Sequence, residues 1–408
     1  MTSDPRVSRP VALRGFENTP GFAALCRQNE MLKRWLCEDA LPLWADRGVD
    51  TMNGGFYEQI AQNGHVIEGP RRTRLVARQI YVFATAADMG WAERAGAMNL
   101  VGHGLDFLLG KCVSGDGVTY ATVHPNGELV RAGFDLYDNA FALFALATSA
   151  RVNFRRATVA DAGRNIVNAM VDGWKHPVAG FEESSPPGKQ LNANPHMHLL
   201  EAFLEWEDAG EAGAWRILSD EIAELALSTF IDSDSGGLRE HYDRKWRPAP
   251  GDDGRLLEPG HHFEWAWLLW RWGVSRGHED ATVKARRLTE IGEDHGVSCK
   301  TGLTMNELWD DLSVRNGDSR LWPQTERVKA HLAMAELADD ESACSRAIGR
   351  AASAADGLRR YLDTDVAGLW HETLDPHGTP VAASARGSSL YHIVSAVKEL
   401  DRFVARRG

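Results

Sequence analysis

The strongest constraint on the fold is a glycine turn that recurs along the chain at nearly constant intervals. Each turn places an apolar residue after the glycine and usually a glutamate soon after it, as in Gly55-Phe56-Tyr57-Glu58. The six turns begin at Gly55, Gly117, Gly180, Gly237, Gly302 and Gly368, which lie 62, 63, 57, 65 and 66 residues apart. Self-similarity at a fixed period is typical of repeat architectures. The turns therefore divide the chain into six similar units.

The segments between the turns are predicted to form pairs of helices. The first helix of each pair is rich in alanine and leucine with a period of 3.6 residues, and is expected over 75–88, 136–150, 197–208, 263–274, 326–337 and 391–404. A second helix is expected over 92–109, 160–174, 214–230, 282–295 and 342–362. One helix pair cannot bury both of its faces, so the pairs must stack on one another.

Stacked pairs can form either an open solenoid or a closed ring. The chain shows no polar terminal caps, which an open solenoid needs, so closure is favoured. We predict an all-α fold, an (α/α)6 barrel of six helix pairs with short hairpins or loops at one rim. It would form a single catalytic domain over residues 1–408, with 1–20 as a flexible N-terminal segment.

A second register marks the beginnings of the first helices. It contains Arg78, Tyr137, His198, His261, Trp322 and His392, separated by 59, 61, 63, 61 and 70 residues. Taken singly, each could be a cap or a packing residue, but in a closed ring all six would meet at one rim. The positive end of a helix disfavours imidazolium, so we expect His261 or His392 to be neutral. Two such imidazoles in one cavity would suit proton transfer.

The charge and hydropathy of the chain argue against several classes of binding partner. Acidic residues number 57 against 45 lysines and arginines, the net charge is −12, and no basic block occurs, so neither nucleic acid nor an anionic membrane is an expected partner. The longest strongly apolar stretch, 263–274, is too short to span a bilayer, and no signal-peptide core precedes it. A cytoplasmic protein is therefore expected. Five scattered cysteines without a CxxC pair argue against disulfides or structural zinc.

Five segments, taken in order, resemble the N-acylglucosamine 2-epimerase superfamily. They are RTRLVARQIY (72–81), NANPHMHLLEA (192–202), EPGHHFEWAWLL (258–269), LWPQTERVKA (321–330) and SSLYHIV (388–394). The resemblance runs from about Trp44 to about Phe403. It implies the same (α/α)6 barrel and an enzyme that epimerises or isomerises a sugar with neither a metal nor another cofactor.

The resemblance also implies a set of site residues. The catalytic residues would be His261 and His392, and the substrate-binding residues Arg78, Tyr137, Asn194, Met197, His198, Glu264 and Trp322. We interpret His392 as the base that moves a proton between C2 and C1 of the sugar. His261, held by Glu264, would act on the ring and carbonyl oxygens. Arg78 would neutralise an enediolate, while His198 and Asn194 would fix hydroxyl groups.

The expected reaction is the metal-independent interconversion of D-mannose and D-fructose. We expect the protein to be a monomer or a homodimer and its ligand to be a monosaccharide. Ser388-Ser389 before Tyr391-His392, together with the run 322–326, looks like the mannose isomerase branch. Alternatives within the superfamily are an N-acylglucosamine or cellobiose 2-epimerase and a sulfoquinovose isomerase. A charged C6 group would need cations, for which the chain offers Arg71, Arg72, Arg74, Lys189, Arg239, Arg244 and Lys245.

Three further alternatives stay open at this point. A metal enzyme could use His196, His198, Glu201, His261, His262 and Glu264, although no HExxH spacing occurs. An (α/α)6 glycoside hydrolase would need two carboxylates, with Asp135, Asp138, Glu264 and Glu326 as candidates. The third alternative is a non-catalytic interaction protein. The sequence contains no large apolar exposed helix face that would support it.

Overall fold

The computed structural model describes residues 19–407, and helices account for most of that range. Its thirteen α-helices are α1 (Pro20–Trp35), α2 (Leu41–Asp46), α3 (Thr73–Asp88), α4 (Arg94–Phe107), α5 (Leu136–Arg151), α6 (Arg156–Trp174), α7 (Ala193–Asp208), α8 (Ala214–Leu225), α9 (Pro259–Arg276), α10 (Glu279–Gly296), α11 (Leu321–Glu336), α12 (Glu341–Arg359) and α13 (Gly387–Ala405). Within the same range, π-helical turns cover Leu36–Ala40, Leu108–Cys112 and Ala226–Phe230, and a 3-10 helix covers Asp253–Arg255.

Six helices that are buried on nearly every side form an inner ring. They are α3, α5, α7, α9, α11 and α13, and each packs on the next. The sequence of α5, LYDNAFALFALATSAR, is largely apolar around the whole helix, which is typical of a buried helix. Because α13 packs on α3, the ring is closed. The predicted (α/α)6 barrel is confirmed, and the open solenoid is excluded.

The outer ring is completed by the N-terminal helix. Helices α4, α6, α8, α10 and α12 each pack on the inner helix that precedes them, as predicted. The sixth outer helix is α1, which the periodicity analysis missed, and it covers both α13 and α12. Its buried residues Phe22, Leu25 and Leu32 form the apolar stripe of an amphipathic helix. The flexible segment predicted for 1–20 lies outside the described residues except for its last two positions.

Short antiparallel strands join consecutive repeats at the rim where the inner helices begin. They are β1 (Gln59–Ile60), β2 (Arg71–Arg72), β3 (Thr122–Val123), β4 (Leu129–Arg131), β5 (Leu191–Asn192), β6 (His241–Tyr242), β7 (Leu256–Leu257), β8 (Glu307–Trp309), β9 (Val314–Asn316), β10 (Ser319–Arg320), β11 (Thr373–Leu374) and β12 (Ala385–Arg386). The sheets are β1-β12, β2-β3-β4, β5-β6, β7-β8-β9 and β10-β11. The pairing of β1 with β12 closes the rim as α3 and α13 close the ring.

Glycine is required at the turn of the third repeat. Gly180 has a φ of +71°, and a Cβ there would lie 2.7 Å from Nε2 of His196. That histidine nitrogen accepts a hydrogen bond from the backbone of Phe181 at 3.1 Å, so the close approach fastens the turn to α7. In residues 19–407, no helix combines the length and apolarity needed to cross a bilayer.

Candidate active site

The residues of the second register lie in the first two turns of the six inner helices, and the ring brings them together. Arg78 donates a hydrogen bond from Nη2 to the Tyr137 hydroxyl at 2.9 Å. The Tyr137 ring meets the His198 ring edge-on, with 4.9 Å between centroids. On the other side of the rim, the centroid of Trp322 lies 5.0 Å from that of His261 and 5.6 Å from that of His392.

Trp322 therefore contacts both of the histidines that were predicted to be catalytic. Its ring is tilted by 35° to His261 and by 36° to His392, and the indole remains partly exposed. Gly260 makes this position possible, because a Cβ at residue 260 would lie 2.5 Å from the Trp322 ring. The lack of a side chain at Gly260 thus leaves room for the Trp322 ring beside the imidazoles of His261 and His392.

His392 is oriented by a buried carboxylate. Its Nδ1 donates to Oε1 of Glu326 at 2.9 Å, which leaves Nε2 free. The other oxygen of Glu326 lies 2.6 Å from Nζ of Lys329, and both of these side chains are fully buried. Burial raises the pKa of Glu326, but the Lys329 ammonium and the hydrogen bond from His392 together outweigh it and lower that pKa, so this carboxylate stays ionised.

Two further carboxylates, Glu201 and Glu264, lie beside Lys329 in the barrel interior. Glu201 accepts hydrogen bonds from the Tyr391 hydroxyl and from His198 Nδ1, the latter at 3.3 Å. Glu264 is 1% exposed, and its Oε1 has no hydrogen-bond partner among the described residues. Burial and the neighbouring charge of Glu326 raise the pKa of Glu264 well above its usual range, which favours the protonated carboxyl.

His261 is held by a different carboxylate from the one expected. The prediction that Glu264 orients it is wrong, because its Nδ1 meets Oε2 of Glu240 at 2.9 Å. A second carboxylate, Glu258, lies 4.0 Å from the same nitrogen and is itself bound by Arg320 at 2.5 Å. Glu264 lies one helical turn further along α9 and turns instead toward His198, with 3.9 Å between Oε1 and Nδ1.

These surroundings give the two histidines opposite protonation states at neutral pH. At His392, burial lowers the pKa to about 4 despite the hydrogen bond to Glu326, so the imidazole is neutral. At His261, burial also lowers the pKa, but Glu240 and Glu258 outweigh it and raise it to about 9. The expectation of a neutral imidazole therefore agrees with His392 and is wrong for His261, where two carboxylates overcome the helix N-terminus.

Arg78 is a buried cation that forms no ion pair within the described residues. It is 6% exposed, and its guanidinium carbon lies 4.0 Å from the Phe141 ring centroid and 5.3 Å from that of Tyr391. Across residues 19–407, no carboxylate lies within ion-pair distance of it. A buried charge without an anionic partner is costly. Its place beside Tyr137, Phe141 and Tyr391 suits negative charge that develops on a bound ligand.

The remaining predicted site residues differ in accessibility. Asn194 is half-buried, and its Oδ1 is a buried atom without a hydrogen-bond partner among the residues described. Tyr137 is also half-buried. Met197 is 0% exposed and belongs to the hydrophobic core, so the structure gives its predicted substrate contact no surface. The roles of all these residues stay predictions.

The residues proposed for a metal are occupied by the chain itself. His196 and His262 use both ring nitrogens on backbone groups, accepting from Phe181 and Leu238 N–H and donating to carbonyls. Three other His/Glu groups have atoms within 4.8 Å of one another: His198 with Glu201 and Glu264, Glu240 with Glu258 and His261, and Glu264 with Glu326 and His392. Each already holds a donor of the protein, respectively Tyr391, Arg320 and Lys329. We therefore assign no metal ligands here.

The carboxylates proposed for glycoside hydrolysis are likewise engaged. Asp138 accepts from both the backbone and the guanidinium of Arg74, at 2.9 and 2.9 Å. Asp135 caps α5 and is paired with Arg131. Glu326 is shared between His392 and Lys329, which leaves Glu264 as the acid of this set without a bound cation. The set offers no pair of free carboxylates facing each other.

Glu240, Lys329 and Tyr391 also belong to the site, although none of the three was predicted from the sequence. One signal was present in the spacing, since His198 and Glu201, His261 and Glu264, and Glu326 and Lys329 are each three residues apart in apolar helices. Residues at that spacing share one helix face, so both members point into the barrel. Glu240 was visible as one of the recurring turn glutamates, but nothing in the sequence placed it against α9.

Comparisons with known proteins agree with the fold and with the family resemblance. The family model for N-acylglucosamine 2-epimerase (GlcNAc 2-epimerase) matches residues 55–396. A "Mannose-6-phosphate isomerase" of Rhizobium meliloti (strain 1021) is 42% identical over 379 residues, 92% of this chain and 97% of that protein. A "D-mannose isomerase" of Thermobifida fusca is 25% identical over 330 residues, 74% of this chain and 78% of that protein. The solved cellobiose 2-epimerase of Spirochaeta thermophila DSM 6192 has a TM-score of 0.84 at 21% identity, covering 97% of this chain and 99% of its own.

Proposed function

Because the chain belongs to the N-acylglucosamine 2-epimerase family, whose members include isomerases, we propose that it interconverts D-mannose and D-fructose without a metal ion. The observation that carries this proposal is the pair of histidines that both contact Trp322 and have opposite protonation states. Two titratable groups whose pKa values are pushed apart supply a base and an acid at one pH. An aldose–ketose isomerase needs one of each.

The base in this mechanism is His392. Its Nδ1 proton is committed to Glu326, so Nε2 carries the lone pair that takes the proton from C2 of the open-chain aldose. The electron pair of the C2–H bond becomes the C1–C2 double bond, and negative charge develops on O1. The same Nε2 then delivers the proton to C1 while the carbonyl forms at C2.

His261 and Arg78 act on the oxygens. The protonated His261 donates to the oxygen that gains charge and later accepts a proton from the other hydroxyl, so no net proton is consumed. Arg78 faces the same rim with an uncompensated positive charge, which stabilises the enediolate. Asn194 and His198 bind hydroxyl groups in this arrangement.

The charge on His261 also favours isomerisation over epimerisation. Epimerisation at C2 requires a second base on the opposite face of the sugar plane. With its pKa raised to about 9 by Glu240 and Glu258 against the effect of burial, His261 is protonated at neutral pH and is a poor proton acceptor from carbon. One base remains, and it can reach both C1 and C2 from one side.

Turnover of mannose in heavy water tests this proposal. We expect fructose as the main product, with deuterium at C1 and a fraction of internally transferred protium, at the same rate with and without EDTA. NMR of the products locates the label. Glucose with deuterium at C2 as the main product would instead identify an epimerase. Loss of activity in EDTA that a divalent ion restores would refute the metal-free mechanism.

The rim favours a sugar without a charged group at C6. Of the seven cations that could serve a phosphate, five are neutralised by carboxylates, including Arg72 by Glu58 at 2.6 Å and Arg74 by Asp138 at 2.9 Å. In the described range, only Lys189 and Lys245 of the seven lack such a partner. Arg71 is fully buried against Asp50 at 3.0 Å and cannot reach a ligand.

We therefore expect free mannose to be a better substrate than mannose 6-phosphate, with a kcat/KM at least about tenfold higher, the ratio that about 1.4 kcal/mol supplies. Replacing a neutral C6 hydroxyl by a dianion adds two negative charges, for which only Lys189 and Lys245 of the seven cations are not already paired with a carboxylate in the described range. Parallel assays of both sugars measure the ratio. A clear preference for the phosphate would show that the rim ion pairs reorganise on binding.

A further inference from the structure

The recurring turn residues fasten the inner helices to one another. In four of the six repeats, a side-chain oxygen from the turn accepts a hydrogen bond from the backbone N–H of the residue just before an inner helix. These pairs are Glu58 with Arg72, Glu183 with Asn192, Asn306 with Arg320, and Glu372 with Arg386. The main-chain oxygens of Glu58, Glu183 and Glu372 accept in addition from the first N–H of a neighbouring inner helix, at 3.0 Å in each case. We call the four turn residues Glu58, Glu183, Asn306 and Glu372 the rim staples.

Glu240 occupies the same position in the fourth repeat and keeps only half of this role. Its main-chain oxygen still accepts from the first N–H of α7, that of Ala193, at 3.0 Å. Its side chain does not bond the backbone of Glu258, the residue just before α9. The carboxylate instead passes that position and meets Nδ1 of His261, the third residue of the helix.

The surroundings of this carboxylate are those of a buried charge rather than a surface link. Its side chain is 4% exposed, and Oε1 has no hydrogen-bond partner among the residues described. A simple helix fastening, as at Glu58, uses both oxygens on the residue before the helix. The charged and titratable groups that also face His261 are Glu258, Glu264, Arg320, His241 and His262.

We propose that Glu240 is a rim staple converted into the positioning residue of His261, fixing a proton on Nδ1 and holding the ring as a cation that faces the substrate oxygens through Nε2. This inference rests on the proposed function for the role of His261, but the contact itself does not. A staple needs an acceptor at the helix start, whereas orienting an imidazolium needs a negative charge. The fourth repeat supplies that charge where the proposed reaction needs an acid.

The proposal fixes the direction of the pH dependence. Activity requires neutral His392, so it is lost as the pH falls through the pKa of that residue, near 4. Activity also requires protonated His261, so it is lost as the pH rises through a pKa near 9. Removing the charge of Glu240 lowers the second pKa and leaves the first unchanged.

The decisive variant is Glu240→Gln, with Glu58→Gln as the matched control at another repeat. An opposite charge within hydrogen-bond distance shifts a pKa by about 1–3 units, so we expect the alkaline limb of kcat/KM to move down by at least about one unit in Glu240→Gln. The acid limb should stay in place. In Glu58→Gln both limbs should stay, although the melting temperature should fall because a rim staple is weakened.

A titration of the histidine resonances in the free enzyme separates this inference from the proposed function. NMR of 15N-histidine-labelled protein should show the pKa of His261 falling in Glu240→Gln and not in Glu58→Gln. An unchanged His261 titration in Glu240→Gln would overturn the inference whatever the substrate proves to be. If the resonance shifts but the alkaline limb of activity does not follow, the positioning by Glu240 stands and the acid role of His261 falls.

Discussion

Replacing His392 by alanine should lower kcat by about 10²- to 10⁴-fold while the barrel stays folded. The expected loss is large because Nε2 of His392 is the one base of the mechanism. His261 cannot replace it because it is protonated, and His198 lies against the Tyr137 ring, where the mechanism uses it to bind a hydroxyl group. Steady-state kinetics on mannose give the effect. Retention of more than about a tenth of the wild-type rate would remove His392 from the mechanism.

A second variant separates loss of the base from disturbance of the charge cluster. His392→Ala leaves Glu326 without one hydrogen bond, whereas the amide of His392→Asn can still donate to this carboxylate. We expect both variants to be inactive and His392→Asn to be the more stable of the two. The exposed histidine variant His377→Ala serves as a control that should keep full activity. Thermal unfolding and circular dichroism measure the stability.

The fold was predictable from the sequence because two independent features repeat with the same period. The glycine turns and the register of site residues repeat at the same interval, and a closed ring satisfies both. The element that escaped prediction was α1, since it contains no turn glycine and packs on α13, more than 350 residues away. No local pattern can show a partner at that distance, although the count of five outer helices for six inner ones implied a missing helix.

The beginnings of the inner helices were predicted too late for a physical reason that bears on function. Helices α7, α9, α11 and α13 begin at residues 193, 259, 321 and 387, four or five positions before the predicted starts. Their first turns hold polar residues such as Asn194, His261 and Gln324, which break the apolar period used to find a helix. These are the residues that face the rim or fasten it. Hydrophobic periodicity therefore fails where the site begins.

Which partner each site residue has could not be predicted either. His261 lies three residues before Glu264 on the same helix, so spacing alone favoured that pair. The ring places Glu240, from the loop before β6, closer to the imidazole, at 2.9 Å from Nδ1. Lys329 was hidden for a related reason, since a lysine within an apolar helix has no sequence mark that distinguishes a buried counter-charge from a side chain that reaches solvent.

Arg78 gives the last prediction, in which activity and stability move in opposite directions. Arg78→Met should lower kcat by about 10²- to 10³-fold, the range seen when one donor to a developing oxyanion is lost, with a smaller effect on KM. The melting temperature should stay the same or rise. Methionine removes a buried charge that has no carboxylate partner in the described part of the chain, and it can still pack on Phe141.

Arg71→Met is the matched control because Arg71 is also a buried arginine. Its guanidinium is bound to the fully buried Asp50 at 3.0 Å, so the variant leaves an unpaired carboxylate and should lose about 3 kcal/mol or more of unfolding free energy. Its kcat, measured where the protein is folded, should change little. If Arg78→Met lost as much stability as Arg71→Met, Arg78 would be a structural residue. If it kept kcat within about tenfold, the charge would not serve the enediolate. A site that keeps an arginine unpaired gives up stability so that the missing anion can be the one formed during the reaction.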